Sequence, residues 1–187
     1  MSTDTLSPVS TLCLAILQCG EATGYEIKKE SVEGDYRYFV DASYGSIYPA
    51  LARLANDGYV TVREETHPGR PIRKIYSITP EGTDALIAAL SQPPGPDQRR
   101  SRFLLVAKSA PHLPAAVVKA AVDERRRLLT EEMEHLRRIT ADYSDEPSVA
   151  WIVGYGLACM GTSLDYLEKN ADDLVAIAKP PLADAAE

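Results

Sequence analysis

Cysteine is scarce: Cys13, Cys19 and Cys159 are an odd, scattered set of three in 187 residues. Three such residues make no disulfide framework, and a reducing compartment, the cytoplasm, is the expectation. The N-terminus, MSTDTLSPVS, has no basic stretch followed by an apolar one, so no secretory signal is expected. Histidine is equally sparse. His67, His112 and His135 form no recognisable ligand set, Glu131 and His135 read as a helix-surface pair, and neither metal nor other cofactor is expected. There is no Ser/His/Asp arrangement, no phosphate-cradling glycine loop and no paired-carboxylate site, so no enzyme is expected. Internal repeats are lacking too.

Long hydrophobic runs are almost absent. The one uncharged segment, PSVAWIVGYGLACMGTSL at 147–164, approaches the length needed to cross a bilayer. It holds three glycines, two serines and a threonine, which suits a helix buried against other helices better than a membrane span. Basic charge is in deficit as well: 20 Lys and Arg against 27 Asp and Glu leave a net −7. That balance argues against nucleic acid until its distribution is considered. From Thr66 to Pro80 there is no acid at all, and Arg70, Arg73 and Lys74 cluster there.

What is present is orderly. Ser7-Pro8 starts a first helix carrying the apolar run Leu12–Leu17. Thr23-x-x-Glu26 is a capping-box pattern opening a second short helix, GYEIKKESVEG. Ser43 caps a third, in which Ile47, Ala50, Leu51 and Leu54 recur at helical spacing and Gly58 ends the run. YVTVREE, the turn formers HPGRP and IRKIYSI predict a hairpin, and Thr79-Pro80-Glu81 caps a helix to about Leu90. This order predicts a mainly α fold with a small β-hairpin, a winged helix-turn-helix over residues 1–91. SQPPGPDQ marks a linker, set at 92–97, and residues 98–187 read as a helical arm. Within it, Ala115, Val122, Leu129, Leu136 and Tyr143 are spaced by seven on one long helix. The final helix, with Val153, Leu157, Met160 and Leu164, is expected to pack on that stripe, and these residues together with Val122, Leu129, Leu136 and Tyr143 are expected to form the dimer interface.

The stretch SYGSIYP begins the third helix with little bulk and many hydroxyls. A helix-turn-helix lays the start of this helix in the major groove, where short polar side chains reach base edges and phosphates. Ser43, Tyr44, Ser46 and Tyr48 supply donors, Gly45 permits close approach, and Arg53 lies two turns on to meet a phosphate. A basic wing carrying Arg70, Arg73 and Lys74 suits phosphate or minor-groove contact. Pro49 lacks the amide that would bond the Gly45 carbonyl, which predicts a bent or tightened first turn.

GYEI (24–27), YGSIYPALARLANDGYV (44–60) and GRPIRKIYSITPEG (69–82), in that order, resemble the PadR family of transcriptional regulators. The resemblance covers residues 10–90 closely; the remainder matches the helical dimerisation domain of the longer PadR subfamily in length and layout. It implies a cytoplasmic homodimer that binds a dyad-symmetric operator on double-stranded DNA, usually to repress a neighbouring gene. It also implies that Tyr48 and the basic wing, here Arg70, Arg73 and Lys74, contact DNA. Tyr44 stands where proline is common, so no operator sequence carries over, and neither does the identity of an inducer. Phe103, Trp151 and Tyr155 are expectations for a small apolar or aromatic effector. The competing reading is a winged-helix protein–protein interaction module without specific DNA binding, for which the net charge speaks.

Overall fold

Short polar residues start the helices of the N-terminal half. Ser7 Oγ accepts from the Ser10 amide at 3.1 Å and opens α1 (Pro8–Gln18). Thr23 and Glu26 close a full capping box on α2 (Gly24–Val32). Thr79 Oγ1 accepts from the Gly82 amide at 3.0 Å and opens α4 (Pro80–Leu90). The computed structural model describes residues 6–66, 72–97, 100–142 and 145–179. It divides into two units, Met1–Pro96 and Asp97–Glu187.

In the first unit α1 packs against α2, α3 (Tyr44–Asn56) and α4, α2 also packs against α3, and a 3₁₀ turn at Asp35–Tyr38 links α2 to α3. Leu12, Leu14 and Leu17 of α1 meet Ile27 of α2, Ile47, Leu51 and Leu54 of α3, and Leu86 of α4 in one buried core. Burying each such side chain is worth about 1.5–3 kcal/mol, so this cluster is what fixes α3. The antiparallel wing pairs β2 (Val60–Glu65) with β3 (Arg73–Ile78), Val60 opposite Ile78 and Glu65 opposite Arg73. A third strand, β1 (Ala22–Thr23), lies on the other edge of β3, with Ala22 opposite Tyr76 and Thr23 opposite Ile75. The sheet order is β1-β3-β2, so the start of α2 is hydrogen-bonded beside the wing.

The Tyr76-x-x-Thr79-x-x-Gly82 spacing has a local cause. Thr79 donates its hydroxyl to Gly58 O at 2.8 Å and its amide to Tyr59 O at 3.0 Å. A Cβ on Gly82 would lie 2.0 Å from that same Tyr59 oxygen, so the first turn of α4 seats against the turn leading into β2 only through a glycine. Gly58, with φ +78°, makes the preceding turn.

The second unit comprises α5 (Arg102–Ser109), a 3₁₀ turn at Ala110–His112, α6 (Ala115–Asp142) and α7 (Pro147–Ala176). Helices α6 and α7 form an antiparallel hairpin: Arg126 Nη2 donates to Leu167 O at 2.8 Å, and Gly156 faces Leu136. The heptad stripe belongs to this intrachain seam. Val122, Leu129 and Leu136 are buried on α6 and Val153 on α7, so in this fold they hold one chain's own hairpin together. With one strong apolar position per heptad, the stripe is narrow and one neighbouring helix covers it. Leu157, Met160 and Leu164 are half-buried, and Tyr143 lies outside the described residues. The other face of α7 is exposed and carries Trp151, Tyr155 and Tyr166, with Trp151 and Tyr155 stacked at 5.8 Å. Phe103 sits half-buried on α5. Among the described residues no helix is long and apolar enough to cross a membrane.

Candidate nucleic-acid interface

Helix α3 starts differently from its neighbours. In α1 and α4 the cap carbonyl accepts from the amide four residues on, Thr11 to Ser7 and Thr83 to Thr79. In α3 the Ser46 amide bonds the Ser43 carbonyl at 3.0 Å, a tighter 3₁₀-type closure. The Ser46 hydroxyl donates to that carbonyl at 2.8 Å and accepts from the Ser43 amide at 3.1 Å. This closure involves neither Pro49 nor the Gly45 carbonyl, and the helix continues through the proline to Asn56. Ser43 and Gly45 face solvent and Ser46 is half-buried. Tyr44 begins the helix, and its side chain lies outside the described residues.

A groove of about 870 Å³ opens between the start of α2, the middle of α3 and β3. Tyr48 lines it from α3, Arg73, Lys74 and Tyr76 from β3, and Thr23, Tyr25, Glu26 and Lys29 from the α2 end. Two of the residues singled out on the wing, Arg73 and Lys74, thus meet Tyr48 of α3 in one concave surface. Arg70 lies outside the described residues. Arg53 is elsewhere: about 140° round α3 from Tyr48 at helical spacing, it borders a separate cavity with Ser7, Ser10 and Asp57.

Three cations, Lys29, Arg73 and Lys74, face one carboxylate in the groove. That carboxylate is already occupied. Glu26 accepts from the Thr23 amide and hydroxyl, each at 2.8 Å, and these bonds, more than nearby Arg73, hold its pKa below the ordinary range. The Tyr76 phenol is pushed the other way, by burial first and by the neighbouring Tyr48 second. Arg63, on β2, is instead tied to Glu21 at 2.6 Å. The groove therefore offers positive charge, tyrosine hydroxyls and flat aromatic surface, the combination that meets phosphate, base edges and sugars.

Lys29, Tyr25, Glu26 and Tyr76 did not emerge as site residues from the sequence. The capping box fixes where α2 starts, but only the two-residue β1 pairing brings that start beside the wing, and two residues carry no periodic signal.

Residues 13–88 match the family model described as the transcriptional regulator PadR-like family. Over 95 residues the chain is 30% identical to the negative transcriptional regulator PadR of Bacillus subtilis (strain 168). That match takes in 50% of this chain and 52% of the relative, so it spans about half the length of the curated protein. Among solved structures, smu.1604c from Streptococcus mutans UA159 is similar with a TM-score of 0.75 at 27% identity, covering 87% of this chain and 98% of that one. Bacillus subtilis PadR in complex with operator DNA gives 0.76 at 20% identity, covering 89% and 98%. The same protein in complex with p-coumaric acid gives 0.71 at 19%, covering 90% and 99%. At these last two identities the likeness is one of fold.

Proposed function

We propose, for this chain of the PadR-like family of transcriptional regulators, that it is a repressor binding a dyad-symmetric operator as a homodimer. The observation that carries the reading is the groove in which Tyr48 stands with Lys29, Arg73 and Lys74. The start of α3, where Ser43, Gly45 and Tyr48 are exposed, enters the major groove, and the Ser46 and Tyr48 hydroxyls meet base edges or phosphates there. Arg73 and Lys74 meet the adjacent backbone, and Lys29 adds a phosphate contact from α2. Arg53, on a different side of α3, reaches a flanking phosphate only if the duplex extends over the α1 end of the domain.

Gly45 supports the same reading from inside the protein. A Cβ there would meet only Ser43 Oγ, at 3.9 Å, so nothing in the fold requires glycine. Glycine in a helix nevertheless costs about 0.5–1 kcal/mol relative to alanine. A partner lying against the helix start gives that absence of a side chain a purpose.

Dimerisation falls to the second unit. The exposed face of α7, with Trp151, Tyr155 and Tyr166, is the surface for the partner subunit, whereas the half-buried Leu157, Met160 and Leu164 lie on the opposite side of the helix with Val153. Two-fold symmetry sets the two recognition helices about 34 Å apart, one DNA turn. A small apolar or aromatic effector releases the operator by favouring a dimer with a different spacing, which demands unequal affinity for the two forms. The protein acts in the cytoplasm, is not an enzyme, and needs no cofactor. The interaction-module reading keeps the net −7 charge in its favour.

A gel shift on the DNA upstream of the gene separates the two. Binding at low salt that is weakened at least tenfold by Tyr48→Ala with Arg73→Ala supports the repressor. Equal binding by the double variant, or no binding to any upstream palindrome, supports the interaction module.

A further inference from the structure

Three residues of the Gly24-Tyr25-Glu26-Ile27 motif have clear tasks. Ile27 is buried in the core, Glu26 caps α2, and Tyr25 is exposed on the groove. Gly24 is left, and its role lies across the groove. A Cβ built on Gly24 would come within 2.8 Å of Tyr48 Cε1 and 3.5 Å of Cδ1. Carbon atoms settle at about 3.5–4.0 Å, so the Cε1 edge of the ring rests against the bare glycine and any side chain there would displace it. No backbone atom stands among the three nearest contacts, so the atoms that would have to give way belong to the tyrosine ring. The ring is 48% exposed and therefore free to swing into solvent.

We infer that Gly24 is the positioning residue for Tyr48: its missing side chain seats the ring on the start of α2, aiming the phenol at the DNA. The assignment rests on the DNA-binding reading of Tyr48, yet the seating can be measured without DNA. Tyr76 of β3 lines the same groove, so the seated ring stands between β3 and the start of α2. Displaced from there, the Tyr48 hydroxyl loses its partner on the duplex, an effect of about tenfold for one hydrogen bond. Alanine is otherwise well tolerated in a helix's first turn, so Gly24→Ala acts on the ring and leaves the fold in place.

The test uses the full chain carrying 3-fluorotyrosine at position 48. Its ¹⁹F resonance moves in Gly24→Ala and stays in place in Gly95→Ala, where a Cβ meets nothing within 4 Å. On upstream duplex DNA, Gly24→Ala binds about tenfold more weakly than the parent, and adds nothing to Tyr48→Ala. Should Gly24→Ala alone misfold while the double variant folds, the contact is demonstrated by that rescue. An unmoved resonance overturns the assignment whatever the DNA result, and so does a Gly24→Ala penalty that persists without the Tyr48 ring. A moved resonance in a chain that binds no DNA upholds the seating and overturns the DNA reading alone.

Discussion

Gly45→Ala is expected to make the protein more stable and less able to bind DNA. The residue is exposed on the first turn of α3, its φ lies outside the left-handed region, and an added methyl meets only Ser43 Oγ at 3.9 Å. Removing glycine's extra freedom in the unfolded chain stabilises a helix by about 0.5–1 kcal/mol, and the first-turn position sets the expectation near about 0.5. For a unit of this size that raises the melting midpoint by about 2–4 °C. The same methyl stands where the duplex is proposed to approach, and a tenfold loss of affinity corresponds to about 1.4 kcal/mol. Thermal denaturation followed by circular dichroism reads the first quantity, and anisotropy titration of a labelled upstream duplex reads the second. A variant that melts lower would mean that the fold itself needs Gly45. One that melts higher and binds equally well would mean that nothing docks closely there; either result refutes the reasoning.

Other substitutions probe the scaffold. Gly82→Ala forces a Cβ to within 2.0 Å of the Tyr59 oxygen and should cost about 1–3 kcal/mol in urea unfolding, whereas Gly95→Ala should change nothing measurable. Glu26 has a folded pKa below its ordinary value, so its contribution is present at neutral pH and lost as pH falls through that lowered value. The stability gap between the parent and Glu26→Gln should therefore be widest near pH 7 and shrink toward pH 3; a gap that widens on acidification would reverse the sign. Burial pushes the Cys13 thiol up to about 12, while Cys19 is exposed beside the Tyr36 hydroxyl at 3.3 Å. Alkylation at pH 8 should mark Cys19 in the folded chain and Cys13 only after unfolding, as peptide mapping would show.

The helix starts, the hairpin and the core positions of α3 were legible because each rests on a local rule: a cap, a turn former, a period. What was hidden depends on contacts far apart in sequence. Lys29 joins the groove only because Ala22 and Thr23 pair with Tyr76 and Ile75. Gly24 reads as a helix-start residue until Tyr48 is seen lying on it. Arg53 has the charge for a phosphate contact but, five residues after Tyr48, projects to a different side of α3. The heptad of α6 signals a helical partner without saying whose helix it is, and the partner described is α7 of the same chain.

The salt dependence of DNA binding tests the central claim most directly. Lys29, Arg73 and Lys74 in each of two protomers neutralise about six phosphates, giving a slope of log K against log salt near −5. Between 50 and 200 mM salt the parent should lose about 10³-fold in affinity for the upstream duplex. Lys29→Ala removes one contact per protomer and should flatten the slope by about 1.8, leaving a loss of about 10²-fold over the same range. A parent slope near zero, or a Lys29→Ala slope equal to the parent's, would contradict the groove as the DNA-binding surface.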